Sequence, residues 1–369
     1  MKEILSFLCV PLERSKKGME FNMGKRVLLG MSGGVDSSVS AILLKEQGYD
    51  VIGINMLLWG DDTSNASDAR KVCKKLNIPF TFLDLRNDFK RYVVQDFIVE
   101  YRSCHTPNPC IMCNKFMKFG IMYTRAKELK CDYIATGHYA NIEFDEKYNS
   151  NVLKKANNLK KDQSYVLYDI KKELLNHIIF PLGKFESKEE IRKLATEHGL
   201  EVANKPDSED ICFIENGNYK EFLETKAKFK PKEGNIVDKK GNVLGKHSGL
   251  YKYTVGQRKG LGISNPEPLF VIDYNKLKNE LIVGEEKDLY KESLLASNIN
   301  WLIDDVKNGM RVEAKIRYAA EPKPAKLILL PRGYARVIFD EPQRAITPGQ
   351  SVVFYDDDTV LGGGKILSH

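Results

Sequence analysis

The sequence predicts an α/β chain: a doubly wound parallel-sheet domain with a glycine turn after its first strand, a small central α+β domain, and a C-terminal β-barrel. Three observations carry this. Residues 27–39, Val-Leu-Leu-Gly-Met-Ser-Gly-Gly-Val-Asp-Ser-Ser-Val, run from an apolar strand through a glycine turn into a helix. Strand and helix patterns alternate from Lys25 to about Thr136, the order that builds a parallel sheet covered on both faces. Beyond about Ser293 the segments are all strand-like, with Pro- and Gly-rich turns between them, as in a small barrel. The expected boundaries are an extension outside the fold at 1–23, the α/β domain at 24–215, the central domain at 216–288 and the barrel at 289–369.

Each element has its own cause. Val27, Leu28 and Leu29 form a short apolar run of the kind buried in a parallel sheet. Gly33 and Gly34 break it; they permit positive φ and bring bare backbone close to a ligand. A helix begins at Asp36 or Ser37, with Val39, Ile42 and Leu43 on one face and Gly48 as its stop. Further strands are expected at 51–55, 80–83 and 132–136, and helices at 66–76, 89–100 and 115–129. Residues 149–161 read as a polar, lysine-rich tip. Helices at 187–198 and 219–225 follow. Asp238-Lys-Lys-Gly241 is a hairpin turn, and 270–274 is expected to pair with 280–284. The barrel strands fall at 312–318, 325–330, 335–339, 350–355 and 360–366. The apolar run from Ile4 to Leu12 has no small-residue cleavage site after it, so it is not read as a signal peptide; Met19 and Met23 are alternative starts.

Bulk composition narrows the class. A chain of 369 residues, 42% apolar, has enough for two or three ordinary cores, and no apolar run reaches the ~18 residues of a membrane span. The formal charge of +7 suits a polyanionic partner such as RNA. Seven cysteines is an odd number outside any secreted disulfide framework. A reducing cytoplasm is therefore expected, with each cysteine either a buried apolar residue or a chemical one.

The strand–turn–helix stretch is an anion site, because unpaired backbone N–H groups and the helix dipole meet the bound charge. A Walker P-loop would carry Gly-Lys-Ser/Thr; here Asp36 follows Gly34-Val35 and there is no lysine. Ser-Gly-Gly-Val-Asp-Ser-Ser resembles the PP-loop of ATP pyrophosphatases, which hold the β- and γ-phosphates as a leaving pyrophosphate. A carboxylate beside that loop makes sense if Mg²⁺ neutralises the phosphates. Two further stretches carry chemistry. In Thr106-Pro-Asn-Pro-Cys-Ile-Met-Cys-Asn-Lys115 the prolines hold an extended loop and Cys113 is placed at the following helix start, where a thiol becomes more acidic. Lys205-Pro-Asp-Ser-Glu-Asp-Ile-Cys-Phe213 sets Cys212 in a polar, acidic approach at the end of the α/β domain. Cys9, Cys73 and Cys131 suit plain structural roles.

With these stretches in view the chain resembles the tRNA-specific 2-thiouridylase family from about Lys25 to the last strand. The marks are Gly30-Met-Ser-Gly-Gly-Val-Asp-Ser37, Asn55-Met56, Thr106-Pro-Asn-Pro109, Cys113-Asn-Lys115, Thr136-Gly-His-Tyr139, Lys161-Asp-Gln-Ser-Tyr165, Asp210-Ile-Cys-Phe-Ile214, Val255-Gly-Gln257, Lys259-Gly-Leu-Gly262 and Ile346-Thr-Pro-Gly-Gln350. The resemblance implies that a wobble uridine is flipped from its stack and that its C2 oxygen is adenylated by ATP. ATP would be held by Gly30, Met31, Ser32, Gly33, Gly34, Val35, Asp36 and Ser37, with Met56 and Gly137 against its nucleoside. It implies Cys212 as the persulfide carrier and Cys113 as the residue that frees the sulfur, leaving a Cys113–Cys212 disulfide to be reduced. Asn108, Pro109 and Cys110 would meet the target base. Lys161, Asp162, Gln163, Arg317 and Tyr318 would contact the tRNA, gripped by shape and phosphate charge. A cysteine desulfurase or sulfur-relay protein would supply sulfur to an enzyme expected to be a monomer.

Two departures matter. Many members carry Asp, a candidate acid/base, where this chain has Cys110, and Gly-Arg where it has Cys104-His105. Cys110, Cys113 and Cys212 are thus also candidate ligands of a [4Fe–4S] cluster, with a zinc site that adds Cys104 as a further alternative. Persulfide and cluster chemistry both stay open at this point. The rival reading is another PP-loop ATP pyrophosphatase, such as a synthetase acting on a small molecule, which needs no such cysteine pair.

Overall fold

The computed structural model describes residues 24–205 and 211–368; the 1–23 extension and the 206–210 part of the cysteine approach lie outside them. The first sheet contains β1 (Arg26–Gly30), β2 (Asp50–Leu57), β3 (Phe80–Asp84), β4 (Tyr133–Ala135) and β7 (Ile178–Ile179), in the order β3-β2-β1-β4-β7, all parallel. Val27 and Leu29 face one buried layer and Leu28 the other. The first layer is formed with α1 (Val35–Glu46), α2 (Ser64–Lys75) and the helix Lys188–Glu197, the second with residues such as Phe119, Met122 and Ile178. Burial on both faces is why β1 is a continuous apolar run instead of an alternating one. The chain leaves β1 toward β2 on one side and returns as β4 on the other. The strand order therefore switches at Gly30 and Thr136, where a doubly wound sheet opens its ligand crevice.

The central sheet, order β10-β11-β8-β9, contains β8 (Gly234–Val237), β9 (Val243–His247), β10 (Phe270–Asn275) and β11 (Glu280–Gly284). The expected turn joins β8 to β9, with Asp238 Oδ1 accepting from Asn242 N at 2.9 Å, and Phe270 pairs with Gly284. The barrel contains β12 (Tyr290–Trp301), β13 (Arg311–Lys315), β14 (Lys323–Leu330), β15 (Tyr334–Arg344), β16 (Ser351–Asp356) and β17 (Thr359–Ser368), closed by pairing of β12 with β17.

Two expectations are corrected. The polar tip at 149–161 is partly a strand: β5 (Asn141–Asp145) and β6 (Ser150–Lys154) form a hairpin, and Lys154 pairs with Thr359 of the barrel. Val152 and Leu153 are fully buried, Val152 in the barrel core and Leu153 in the α/β core. Two apolar residues in a lysine-rich run carry no local signal; the barrel supplies their environment. The helix expected from Lys115 starts instead at Pro109 and runs through residues 109–128, with a π-wound middle at Cys113–Ile121. Pro109 sits at the first helical position, where its missing N–H costs nothing, and Asn108 Oδ1 caps Cys110 N at 3.1 Å. No helix of the described residues is long and apolar enough to cross a membrane.

Candidate active site

A cleft of about 590 Å³ opens at the carboxyl ends of β1 and β4. Its floor is the glycine turn. Met31 N donates to Ile54 O at 2.7 Å and Met31 O accepts from the buried Asn55 Nδ2 at 2.7 Å, which ties the loop to β2. Gly33 takes φ +76°, and Gly34 is the N-cap of α1. Ser37 Oγ accepts from Ser32 N at 3.2 Å and donates to Gly34 O at 3.2 Å, so the loop is laced by its own hydroxyls. Gly30, Met31, Ser32, Gly34, Val35, Asp36, Ser37, Met56 and Gly137 all line the cleft; Gly33 does not, being buried against α2.

Asp36 is more than a free carboxylate. Its Oδ1 accepts from the Tyr139 hydroxyl at 2.6 Å and from Lys188 Nζ at 2.5 Å. Gly137 passes so close that a Cβ there would lie 3.0 Å from Asp36 C and Ser37 N. Lys205 Nζ reaches Gly33 O at 3.3 Å, Asn65 Oδ1 at 2.8 Å and Asp68 Oδ2 at 3.1 Å, holding the loop against α2.

Opposite the loop stand three thiols. Cys110 and Cys113 come from the helix 109–128, one turn apart. Cys212 is anchored by its neighbour Phe213, whose ring is 5.2 Å from Phe97, 5.3 Å from Phe222 and 5.6 Å from Phe89. All three cysteines line the same cleft, and all are free thiols. The expected acidic Cys113 is corrected. It lies inside the helix, not at its start, and is 7% exposed. Burial pushes the Cys113 thiol up; Cys110 and Cys212, though exposed residues, shift the same way by loss of water at the cleft wall, with the neighbouring thiols adding at Cys212. Lys118 opposes the rise at all three.

The sequence reading assigned no role to Lys118 or His138. Lys118 Nζ lies 3.3 Å from His138 Nε2, and His138 Nδ1 lies 2.7 Å from Thr136 Oγ1. A lysine ammonium only donates, so Nε2 is the acceptor and Nδ1 carries the proton toward Thr136. Burial, then Lys118, holds this imidazole well below its ordinary range. Lys188 was also missed. A lysine in the first turn of the 187–198 helix, at the positive end of its dipole, was the signal that could have found it.

The expected tRNA contacts divide. Lys161 and Gln163 line the cleft, and Gln163 Oε1 accepts from Tyr139 N at 3.0 Å. Asp162 is turned inward: its oxygens accept from Ala156 N at 2.9 Å and Ser164 Oγ at 2.7 Å. Arg317 and Tyr318 sit on the barrel, with the half-exposed Tyr318 ring edge-on to Tyr165 at 6.1 Å. Pro109 and Cys110 line the cleft, while Asn108 spends its side chain on the helix cap.

Among the described residues no group of three or more His, Cys, Asp or Glu is placed to hold a metal ion. The three thiols share a cleft, and Cys104 packs against the central-domain core instead. No ligand set for a [4Fe–4S] cluster or for zinc is formed among the described residues.

Glycine loop and thiols thus line one cleft, which sets the class: a PP-loop α/β fold with its crevice at the strand-order switch. Family models agree along the chain: a tRNA methyl transferase HUP domain over residues 25–216, a tRNA methyl transferase PRC-barrel domain over 220–285 and an aminomethyltransferase β-barrel domain over 291–366. The tRNA-specific 2-thiouridylase of Clostridioides difficile (strain 630) is 49% identical over 93% of this chain and 98% of its own. That of Clostridium beijerinckii is 49% identical over 94% and 99%. The chain belongs to the tRNA-specific 2-thiouridylase family. Among solved structures, a 4-thiouridine synthetase–RNA complex with bound ATP aligns with 20% identity and a TM-score of 0.36, covering 50% of this chain and 43% of that one.

Proposed function

We propose that the protein replaces the C2 oxygen of the tRNA wobble uridine by sulfur at the expense of ATP. The observation that carries this reading is that Cys113 and Cys212, far apart in sequence, face the same cleft as the glycine loop. Backbone N–H groups at the N-terminus of α1 hold the β- and γ-phosphates. Asp36, beside them, would hold the Mg²⁺ ion, which would neutralise the phosphate charge. Met56 and Gly137 flank the nucleoside. The uridine O2 attacks the α-phosphate, pyrophosphate leaves, and C2 acquires AMP as its leaving group.

Sulfur arrives on Cys212 as a persulfide from a cysteine desulfurase or relay protein. The Cys113 thiolate attacks the Cys212 sulfur of that persulfide; a Cys113–Cys212 disulfide forms and hydrosulfide departs. Hydrosulfide adds to C2 and expels AMP, and an external dithiol reduces the disulfide. Lys118 is the cation that favours the thiolate against burial, and with Cys110 in place of an aspartate it is the charged side chain that the three thiols share. The central domain (216–288) and barrel (289–369) grip the tRNA through phosphate charge and shape. A cytoplasmic monomer is consistent with the reduced cysteines and this substrate.

The test is an assay with tRNA bearing an unmodified wobble uridine, ATP and a persulfide donor. Sulfur in the tRNA with stoichiometric AMP and pyrophosphate is expected. ADP and phosphate as the tRNA-dependent products would overturn the reading, as would a Cys113→Ser enzyme that thiolates at the parent's rate.

A further inference from the structure

The stretch that carries Cys110 and Cys113 is fastened to the barrel on both sides. Ahead of the thiols, Thr106 is held by the chain that enters β16. Thr106 N donates to Pro348 O at 2.9 Å, and Gln350 Nε2 donates to Thr106 O at 2.6 Å. The two segments lie so close that a Cβ on Gly349, at φ +90°, would fall 2.6 Å from His105 Cβ and 2.8 Å from Thr106 N. A charged seam runs beside this grip. Lys365 Nζ of β17 donates to Glu100 Oε1 at 2.9 Å and lies 3.6 Å from Asp96 Oδ1. The other oxygen of Glu100 accepts from His105 Nδ1 at 2.9 Å. Lys365 and Glu100 are 25% and 13% exposed, so salt screens this pair less than a surface one.

Behind the thiols the fastening passes through one intermediate. Asn114 Nδ2 donates to Val166 O at 2.9 Å, and Lys115 Nζ to Asp169 Oδ2 at 2.8 Å. The chain around Val166 is in turn tied to the first residue of β16. The fully buried Tyr165 hydroxyl donates to Ser351 O at 2.8 Å and accepts from Ser351 N at 3.2 Å. Residues 348–351 therefore serve both fastenings. Cys212 is placed by other contacts, those of Phe213 with Phe89, Phe97 and Phe222. A shift of the barrel contacts would thus move Cys113 relative to Cys212, and thiolate attack needs its reacting atoms about 3–3.5 Å apart and aligned.

We propose that the barrel is a working part of the thiol site: residues 348–351 and Lys365 are positioning residues that set the helix bearing Cys113 against Cys212. This deepens the persulfide reading above and rests on it.

The test separates release of sulfur from every other step. Cys212 of the full-length enzyme is loaded with a labelled persulfide, free donor is removed, and transfer to tRNA with ATP is followed through a single turnover without dithiol. The same enzymes are then given sodium sulfide, whose hydrosulfide adds to the adenylated C2 and expels AMP without requiring the two thiols to meet. Lys365→Met removes the charge and keeps the length; Tyr165→Phe removes the hydroxyl that binds Ser351. Each variant is expected to slow single-turnover transfer at least tenfold, with sulfide-driven thiolation and tRNA affinity within twofold of the parent. Lys365→Arg is expected to stay within threefold on both routes. Transfer at the parent's rate in both variants, or equal losses on the two routes, would overturn the role of the barrel. Should one variant fail to fold, the other decides, because the two act from opposite sides of the thiols. Failure of the persulfide reading itself looks different: Cys113→Ser would then match the parent in single-turnover transfer.

Discussion

The two neighbouring glycines of the loop should respond in opposite ways to the same added methyl group. Gly33 sits at φ +76°, and a Cβ there would lie 2.4 Å from the Asn65 carbonyl oxygen of α2. Alanine in the left-handed region costs about 1–2 kcal/mol, and forcing the neighbouring backbone apart adds about 1–3 kcal/mol. Gly33→Ala should lower the melting temperature by roughly 5–15 °C for a domain of this size. Gly34 has φ −101° and ψ 172°, which alanine adopts freely, and its Cβ would meet only Ser32 Oγ at 3.5 Å. The weaker N-cap is offset by about 0.4–1 kcal/mol from a less flexible unfolded chain. Gly34→Ala should therefore melt like the parent. Gly34 lines the cleft, however, and an added methyl group there would crowd a bound phosphate. Losing one hydrogen bond to a charged phosphate costs about 1.5–3 kcal/mol, roughly ten- to hundredfold in affinity. Calorimetry and equilibrium titration with ATP on both variants measure the two effects separately. A Gly34→Ala protein that binds ATP as the parent does, or that loses as much stability as Gly33→Ala, would refute this assignment of the two glycines.

Asp36→Ala should impair more than the ATP step: with Lys188 and the Tyr139 hydroxyl each losing one charged acceptor, a loss of about 1.5–3 kcal/mol is expected in denaturant unfolding, and an unchanged midpoint would contradict the brace. Burial keeps His138 neutral in the folded protein, while in the unfolded chain it takes a proton below about pH 6.5. Its contribution to stability is therefore complete above pH 6.5 and is lost as pH falls, by up to about 1.36 kcal/mol per pH unit. His138→Gln should flatten unfolding free energy against pH between 6.5 and 5, and an unaltered slope would place the imidazole in a solvated setting. Cys110→Ala, made without oxygen, should thiolate tRNA from a persulfide donor at a rate near the parent's and without iron. Parallel loss of iron and activity would favour cluster chemistry instead.

Sequence alone determined the parallel sheet, the glycine turn with Asp36, the hairpin around Asp238 and the strand-rich final third. Each is written in local terms: an apolar run too continuous for a one-faced strand, two adjacent glycines before a helix, turn residues at fixed spacing. The cysteines of interest were visible for the same reason, set off by Pro-Asn-Pro and by the approach to Phe213. What only the tertiary structure decided are relations between residues far apart. Val152 and Leu153 became strand because the barrel and the α/β core bury them from opposite sides. Cys113 was read as an acidic helix-start thiol. Asn108 begins the helix a turn earlier, and packing then turns Cys113 inward, where loss of water outweighs the dipole. Asp162 was read as a tRNA contact and is a buried acceptor for its own loop. Lys188 had no visible purpose until Lys188–Glu197 packed alongside α1, because a charge pair about 150 residues apart leaves no spacing to read. Local backbone preference and apolar periodicity are properties of a short stretch of chain, whereas desolvation and charge balance belong to whatever the fold places around a group.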